Sequence, residues 1–265
     1  MKKTILAILW SGLSIPLGII HAQDPFADQV VSYTPGTGIN ASYVLPNSAL
    51  GAPASAATIT VPAFQNTDIV GVGTGGQLTV AFNTPITNNP AGHLGGMDFT
   101  IFGNEFFVLS GSTISGVFNH TGLTVWVSQD NVTYYQLVAP YGADDYYPTQ
   151  ANGDPSVPIG ASLSIGQFTG QTITQALSLY NGSAGGASYS LSWTQDANGN
   201  PVSLPSISYI KIVGTSGFGY VDAVSRVGNV TSVPTPGGAA LFFVATGVVL
   251  CVRWRTLASK QVFQN

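Results

Sequence analysis

Leu123-Thr124-Val125-Trp126-Val127-Ser128 carries an apolar side chain at every second position, and Gln129-Asp130-Asn131 follows at once. A period of two puts one set of side chains on a single face of an extended chain, so the stretch reads as a half-buried strand. Asp and Asn tolerate positive φ, which makes Asp130-Asn131 a hairpin turn into a returning strand at 132–138. The same alternation recurs at 77–82 (Gln-Leu-Thr-Val-Ala-Phe) and at 209–213 (Tyr-Ile-Lys-Ile-Val). Shorter runs near 29–34, 67–72, 97–103, 186–193 and 219–228 lie between Gly, Pro, Asn and Asp. The pattern predicts an all-β body: an antiparallel β-sandwich or jelly roll.

One helix interrupts it. Thr172 and Gln175 fit a capping box, Ile173, Ala176, Leu177 and Tyr180 fall on one face, and Gly182 is a stop signal, so a helix is expected near 172–180. No internal repeat is visible, and no linker divides the body at 23–232.

Charge narrows the function. The 265 residues hold 7 Lys and Arg, and five of them (Lys2, Lys3, Arg253, Arg255, Lys260) sit at the ends. Between them only Lys211 and Arg226 face eleven acids, a formal −9 for the body. Nucleic-acid binding is excluded, because such affinity comes from cations that neutralise phosphates. The single Cys251 lies in the C-terminal apolar run, so the body has neither a disulfide nor thiolate chemistry.

The ends read as sorting signals. Lys2-Lys3, an apolar stretch over 4–20 and a small residue at Ala22 describe a secretory signal peptide at 1–22. Residues 237–252 contain no charge and are closed by Arg253-Trp254-Arg255, which suits a short transmembrane helix with a basic stop. Val233-Pro234-Thr235-Pro236, the apolar run, then Arg253 and Arg255, resembles the tail of PEP-CTERM proteins. That resemblance implies an exported bacterial surface protein whose tail at 233–265 is processed by an exosortase-type protease in the membrane.

Catalytic motifs are weak. Gly71-Val72-Gly73-Thr74-Gly75-Gly76 has dinucleotide-binding spacing but leads into strand 77–82, so a tight turn between strands is expected instead. G-x-S-x-G is absent, and His93 and His120 stand in Gly- and Asn-rich contexts that read as exposed loops. Neither histidine belongs to a zinc motif. The leading reading is therefore non-enzymatic; a glycan-active enzyme, which would need Glu105 and a second carboxylate converging in a cleft, is the further alternative.

Two binding sites stay open. Glu105, the only glutamate, lies beside Asn104 and close to Asp98, and no basic residue occurs within a hundred positions of it. These oxygens suit a hard cation such as calcium, with Asp222 brought in by strand pairing; solvated strand ends are the alternative. The loop Pro140-Tyr141-Gly142-Ala143-Asp144-Asp145-Tyr146-Tyr147-Pro148 mixes acids with Tyr141, Tyr146 and Tyr147. Such rings stack on sugars, so extracellular polysaccharide is a candidate partner; core packing is the alternative.

The body extends the resemblance. Residues 72–82, Met97-Asp98-Phe99-Thr100-Ile101-Phe102-Gly103-Asn104-Glu105, 127–131, 179–186, Leu191-Ser192-Trp193, 209–212 and Val221-Asp222-Ala223-Val224 occur in the order seen in a group of PEP-CTERM cell-surface proteins. Ser190 and Gly219 or Tyr220 stand where that group carries acids. The resemblance implies an exported β-sandwich at the cell surface or in an exopolysaccharide matrix.

Overall fold

The computed structural model describes residues 24–160 and 162–230. In chain order the strands are β1 Gln29–Thr34, β2 Val70–Val72, β3 Gln77–Thr87, β4 Phe99–Phe102, β5 Phe106–Ser110, β6 Thr113–Phe118 and β7 Leu123–Ser128. They continue as β8 Tyr135–Leu137, β9 Ala187–Tyr189, β10 Thr194–Gln195, β11 Ser206–Gly214, β12 Gly219–Val221 and β13 Ala223–Arg226. Among the described residues one α-helix, α1, spans Ile173–Tyr180. The fold is mostly antiparallel β, as the alternation predicts.

The three strongest alternating segments share the largest sheet, ordered β1-β3-β11-β7-β8-β10. Ile210 sits between Val80 and Val127, and Ile212 between Leu78 and Val125. Branched and aliphatic side chains thus line one face of three adjacent strands, where cross-strand contact stabilises the ladder. A second sheet, β13-β4-β9, places Ile101 between Val224 and Ala187. Both sheets contribute to one buried cluster that also contains Phe99 and Tyr189. Those two rings stack with centroids 5.2 Å apart.

The turn after β7 works through side chains. Ser128 Oγ accepts the N–H groups of Asp130 and Asn131, Asp130 Oδ1 accepts those of Val132 and Thr133, and Asn131 takes φ 61°. Holding these N–H groups away from the ladder delays the return strand, which occupies Tyr135–Leu137 rather than all of 132–138.

The capping box at Thr172 and Gln175 forms as expected, and Asn181 closes the helix at φ 48°. Its buried face is narrower than the sequence suggests: Ala176 and Tyr180 are buried, whereas Ile173 and Leu177 are exposed. The helix packs on a satellite core with Phe107, Ile114 and Phe168, so only an i, i+4 pair reaches inward. The hairpin β5–β6, absent from the expected strands, supplies Phe107 and Ile114.

The glycine run at 71–76 does connect two strands, β2 and β3, and no helix follows it. Gly73 is required by contact, since a Cβ there would lie 2.1 Å from the Thr37 carbonyl oxygen, and Gly75 by its φ of 74°. The signal peptide at 1–22 and the tail at 233–265, including Val233, Pro234, Thr235, Pro236, Arg253 and Arg255, lie outside the described residues. Among the described residues no helix is long and apolar enough to cross a membrane.

Candidate functional site

Asp98 is fully buried at the start of β4, and its oxygens are occupied. His93 Nδ1 lies 2.7 Å from Oδ1, the Leu191 N–H donates to Oδ2 at 2.7 Å, and the Asn89 N–H reaches Oδ1 at 3.3 Å. Asn104 and Glu105 follow the opposite end of β4, whose four residues alone span about 13 Å at the usual strand rise. Asp98 therefore does not join them, and His93 is a buried partner for a carboxylate rather than an exposed loop residue.

Asp222 does arrive at the Glu105 end, because its N–H donates to the Phe102 carbonyl. Both its oxygens, however, accept the Ala54 N–H at 3.0 Å. Burial foremost, with the charges of Asp68 and Asp144 adding to it, pushes its carboxyl up to about 8.

The residue that faces Glu105 is Asp144. A Cβ at Gly103 would stand 2.1 Å from Asp144 Oδ1 and 2.6 Å from Glu105 Oε2. The two oxygens thus share one small space that only a glycine leaves open. Glu105 is 1% exposed and Asp144 0%. Asp144 is anchored by the Asn104 N–H on Oδ1 at 2.9 Å and the Tyr220 N–H on Oδ2 at 2.7 Å. His120 Nδ1 stands 3.1 Å from Oδ2, an ion-pair distance without hydrogen-bond alignment. The His120 ring is packed among Phe118, Phe218 and Tyr220, so this histidine too is not an exposed loop residue.

No well-aligned donor reaches either Glu105 oxygen, although the Asp144 carboxyl and Glu105's own N–H lie near enough to act on it, and Asn104 Oδ1 is likewise buried without a partner. Burial first, and then the negative charge of Asp144, pushes the Glu105 carboxyl well above the ordinary carboxylate range. Burial opposes ionisation of Asp144 as well, but the neighbouring His120 and Glu105 side chains and the Tyr220 N–H outweigh it and hold Asp144 low. Burial and the charge between them thus push the two facing acids in opposite directions.

The tyrosine loop continues directly from this pair. Asp145 accepts the Gly142 N–H at 3.3 Å and the side-chain amide of Asn119, and Tyr146 follows with φ 76°, a conformation that costs a bulky residue energy. The loop closes one wall of a cleft of about 360 Å³, lined by Tyr141, Tyr146, Tyr147 and Trp193 together with Met97, Ile159 and Leu163. That volume lies at the small end of the range for ligand sites. Tyr141 is the hub: its ring centroid is 5.6 Å from that of Tyr146 and 6.4 Å from that of Trp193, both edge to face.

Their hydroxyls are used inward. Tyr141 donates to the Ser188 carbonyl, and Tyr147 donates to that of Leu163 at 2.7 Å. Burial raises both phenols above the usual tyrosine value, so they remain neutral donors. Tyr147 is largely a packing residue, while Tyr141, Tyr146 and Trp193 are half-buried and present ring surface to the cleft.

Structure thus brings together Asn104, Glu105 and the tyrosine loop, leaves Asp98 apart, and commits Asp222 to a backbone N–H. Sequence reasoning missed Trp193, whose only signal is an aromatic side chain after the β9 segment. It noted Asp144 only as an acid among tyrosines. The chain matches no protein-family model and no curated protein.

Proposed function

We propose that the protein is an exported, non-enzymatic component of the bacterial surface or extracellular matrix, a β-sandwich that holds carbohydrate in the tyrosine cleft. One observation carries this reading: three of the cleft's aromatic residues are the loop tyrosines, and Trp193, packed edge to face on Tyr141, lines the same cleft. Flat rings with fixed hydroxyls offer apolar faces to the C–H side of a sugar at little cost in side-chain entropy. The described lining contains no carboxylate, imidazole or thiol. Hydrolysis of a glycoside uses two carboxyl groups about 5–10 Å apart across the scissile bond, so the lining favours binding over turnover.

Export supplies the setting. The signal at 1–22 would carry the chain out, and the apolar run at 237–252 would hold it in the inner membrane with Arg253 and Arg255 on the cytoplasmic side. An exosortase-type protease would then act near Val233–Pro236. Mass spectrometry of the surface fraction tests this: a mature chain from about Gln23 to about Pro236 is expected, and an intact C-terminus at Asn265 counts against processing.

A glycan array tests the cleft. Retention of at least one neutral glycan by the wild type, lost in Tyr146→Ala with an unchanged melting temperature, is expected. No retention on any glycan, or equal retention by the variant, would refute the carbohydrate reading.

A further inference from the structure

The space over Gly103 holds two facing carboxylates, Glu105 and Asp144, both essentially closed to solvent. Charges buried in this way cost several kcal/mol each unless they are paired. Lys211 and Arg226 are engaged elsewhere, Lys211 3.4 Å from the Tyr134 ring centroid and Arg226 donating to the Thr84 carbonyl at 3.2 Å, while His120, 3.1 Å from Asp144 Oδ2, answers Asp144 and not Glu105. No well-aligned donor reaches the two Glu105 oxygens, and the amide oxygen of the neighbouring residue, Asn104, is also buried without a partner. All three are hard donors, the kind that calcium takes and that zinc or copper do not prefer.

The spacing fits. The Gly103 test point is 2.1 Å from one carboxylate oxygen and 2.6 Å from the other. The oxygens are therefore separated by no more than two calcium–oxygen bonds of about 2.3–2.6 Å each. Two carboxylates balance a divalent charge. Among the described residues no three Asp, Glu, His or Cys side chains converge on one point. Oxygens other than carboxylates would complete the shell, the Asn104 amide oxygen one residue from Glu105 among them, as calcium's six to eight flexible positions allow.

We propose that calcium binds between Glu105, Asn104 and Asp144, and that it fixes the adjoining tyrosine loop so that the cleft holds carbohydrate only in the calcium-loaded protein. The coupling half rests on the carbohydrate reading above; the cation site does not. The connection is short. Asp144 is followed by Asp145, which is tied to Asn119 and Gly142, and then by Tyr146 in its strained conformation. Without the cation the two facing carboxylates have no shared counter-charge, and the segment that aims Tyr146 is held less firmly.

The site is tested on the full chain stripped with a chelator and titrated with calcium chloride alone by calorimetry. One calcium per chain and a melting temperature that rises with calcium are expected. Glu105→Gln, which keeps the shape and removes the charge, should weaken binding more than about a hundredfold, beyond the usual effect of a supporting residue. It should also melt in chelator no lower than the wild type, so that lost binding is not lost folding. No heat and no melting shift up to about 10 mM calcium, above the range of extracellular calcium modules, would overturn the site. So would wild-type affinity in both Glu105→Gln and Asp144→Asn.

Hydrogen exchange separates the coupling from the carbohydrate reading. Calcium should slow exchange of the amides at 141–147 in the wild type and not in Glu105→Gln; equal exchange with and without calcium would overturn the coupling. Glycan retention that disappears in chelator and returns with calcium supports it. Retention equal in both conditions refutes the dependence while leaving the cation site, and retention in neither defeats the cleft reading while leaving the calorimetric result intact.

Discussion

Gly103 is where close packing and electrostatics meet. Its hydrogen leaves room for Asp144 Oδ1 and Glu105 Oε2, and a methyl group there would overlap both. Gly103→Ala should destabilise the fold by about 1–3 kcal/mol, the usual cost of overpacking, and abolish calcium binding; denaturant unfolding with and without calcium measures both. Asp222 gives a test in pH. Its folded value of about 8 exceeds the unfolded value of about 4. Between those values the native state keeps a proton that the unfolded chain has lost, so this group makes stability fall as pH rises from about 4 to about 8 and level off above. In chelator, Asp222→Asn should flatten that slope and raise stability at pH 8 by a few kcal/mol. A variant with the wild-type slope would show that Asp222 ionises freely.

At the scale of the element, α1 separates local signal from packing. Its capping box satisfies N–H groups that an eight-residue helix cannot pair internally. Thr172→Ala should therefore cost about 1 kcal/mol in chemical denaturation. Leu177 falls on the apolar stripe of the sequence yet is 39% exposed. Leu177→Gln should change stability by less than about 0.5 kcal/mol. The hairpin β5–β6 behaves in the opposite way. Phe106 stacks on Phe118 across it with centroids 5.0 Å apart, while Val108, Leu109 and Phe118 remain exposed. Its apolar residues follow no period of two that separates inside from outside, which is why alternation did not disclose it.

Over the whole molecule, the parts legible in sequence are those that local chemistry determines. Residues 77–82, 123–128 and 209–213 alternate because one face of each meets the same core, and they lie side by side in β3, β7 and β11. Thr172 and Gln175 cap a helix whatever surrounds them. The site was legible only as separate pieces: Glu105 with Asn104, and the tyrosines at 141–147. That Asp144, and not Asp98, faces Glu105 depends on how the 140–148 loop crosses the end of β4, a long-range contact between residues 39 positions apart that no local pattern encodes. Trp193 joins the cleft for the same reason. Carbohydrate recognition by the tyrosine cleft is tested most simply by the position of an oligosaccharide in a crystal of the complex. A sugar ring in the cleft against Tyr146 and Trp193 is the predicted result; an oligosaccharide bound on another face, with the cleft free, would contradict it.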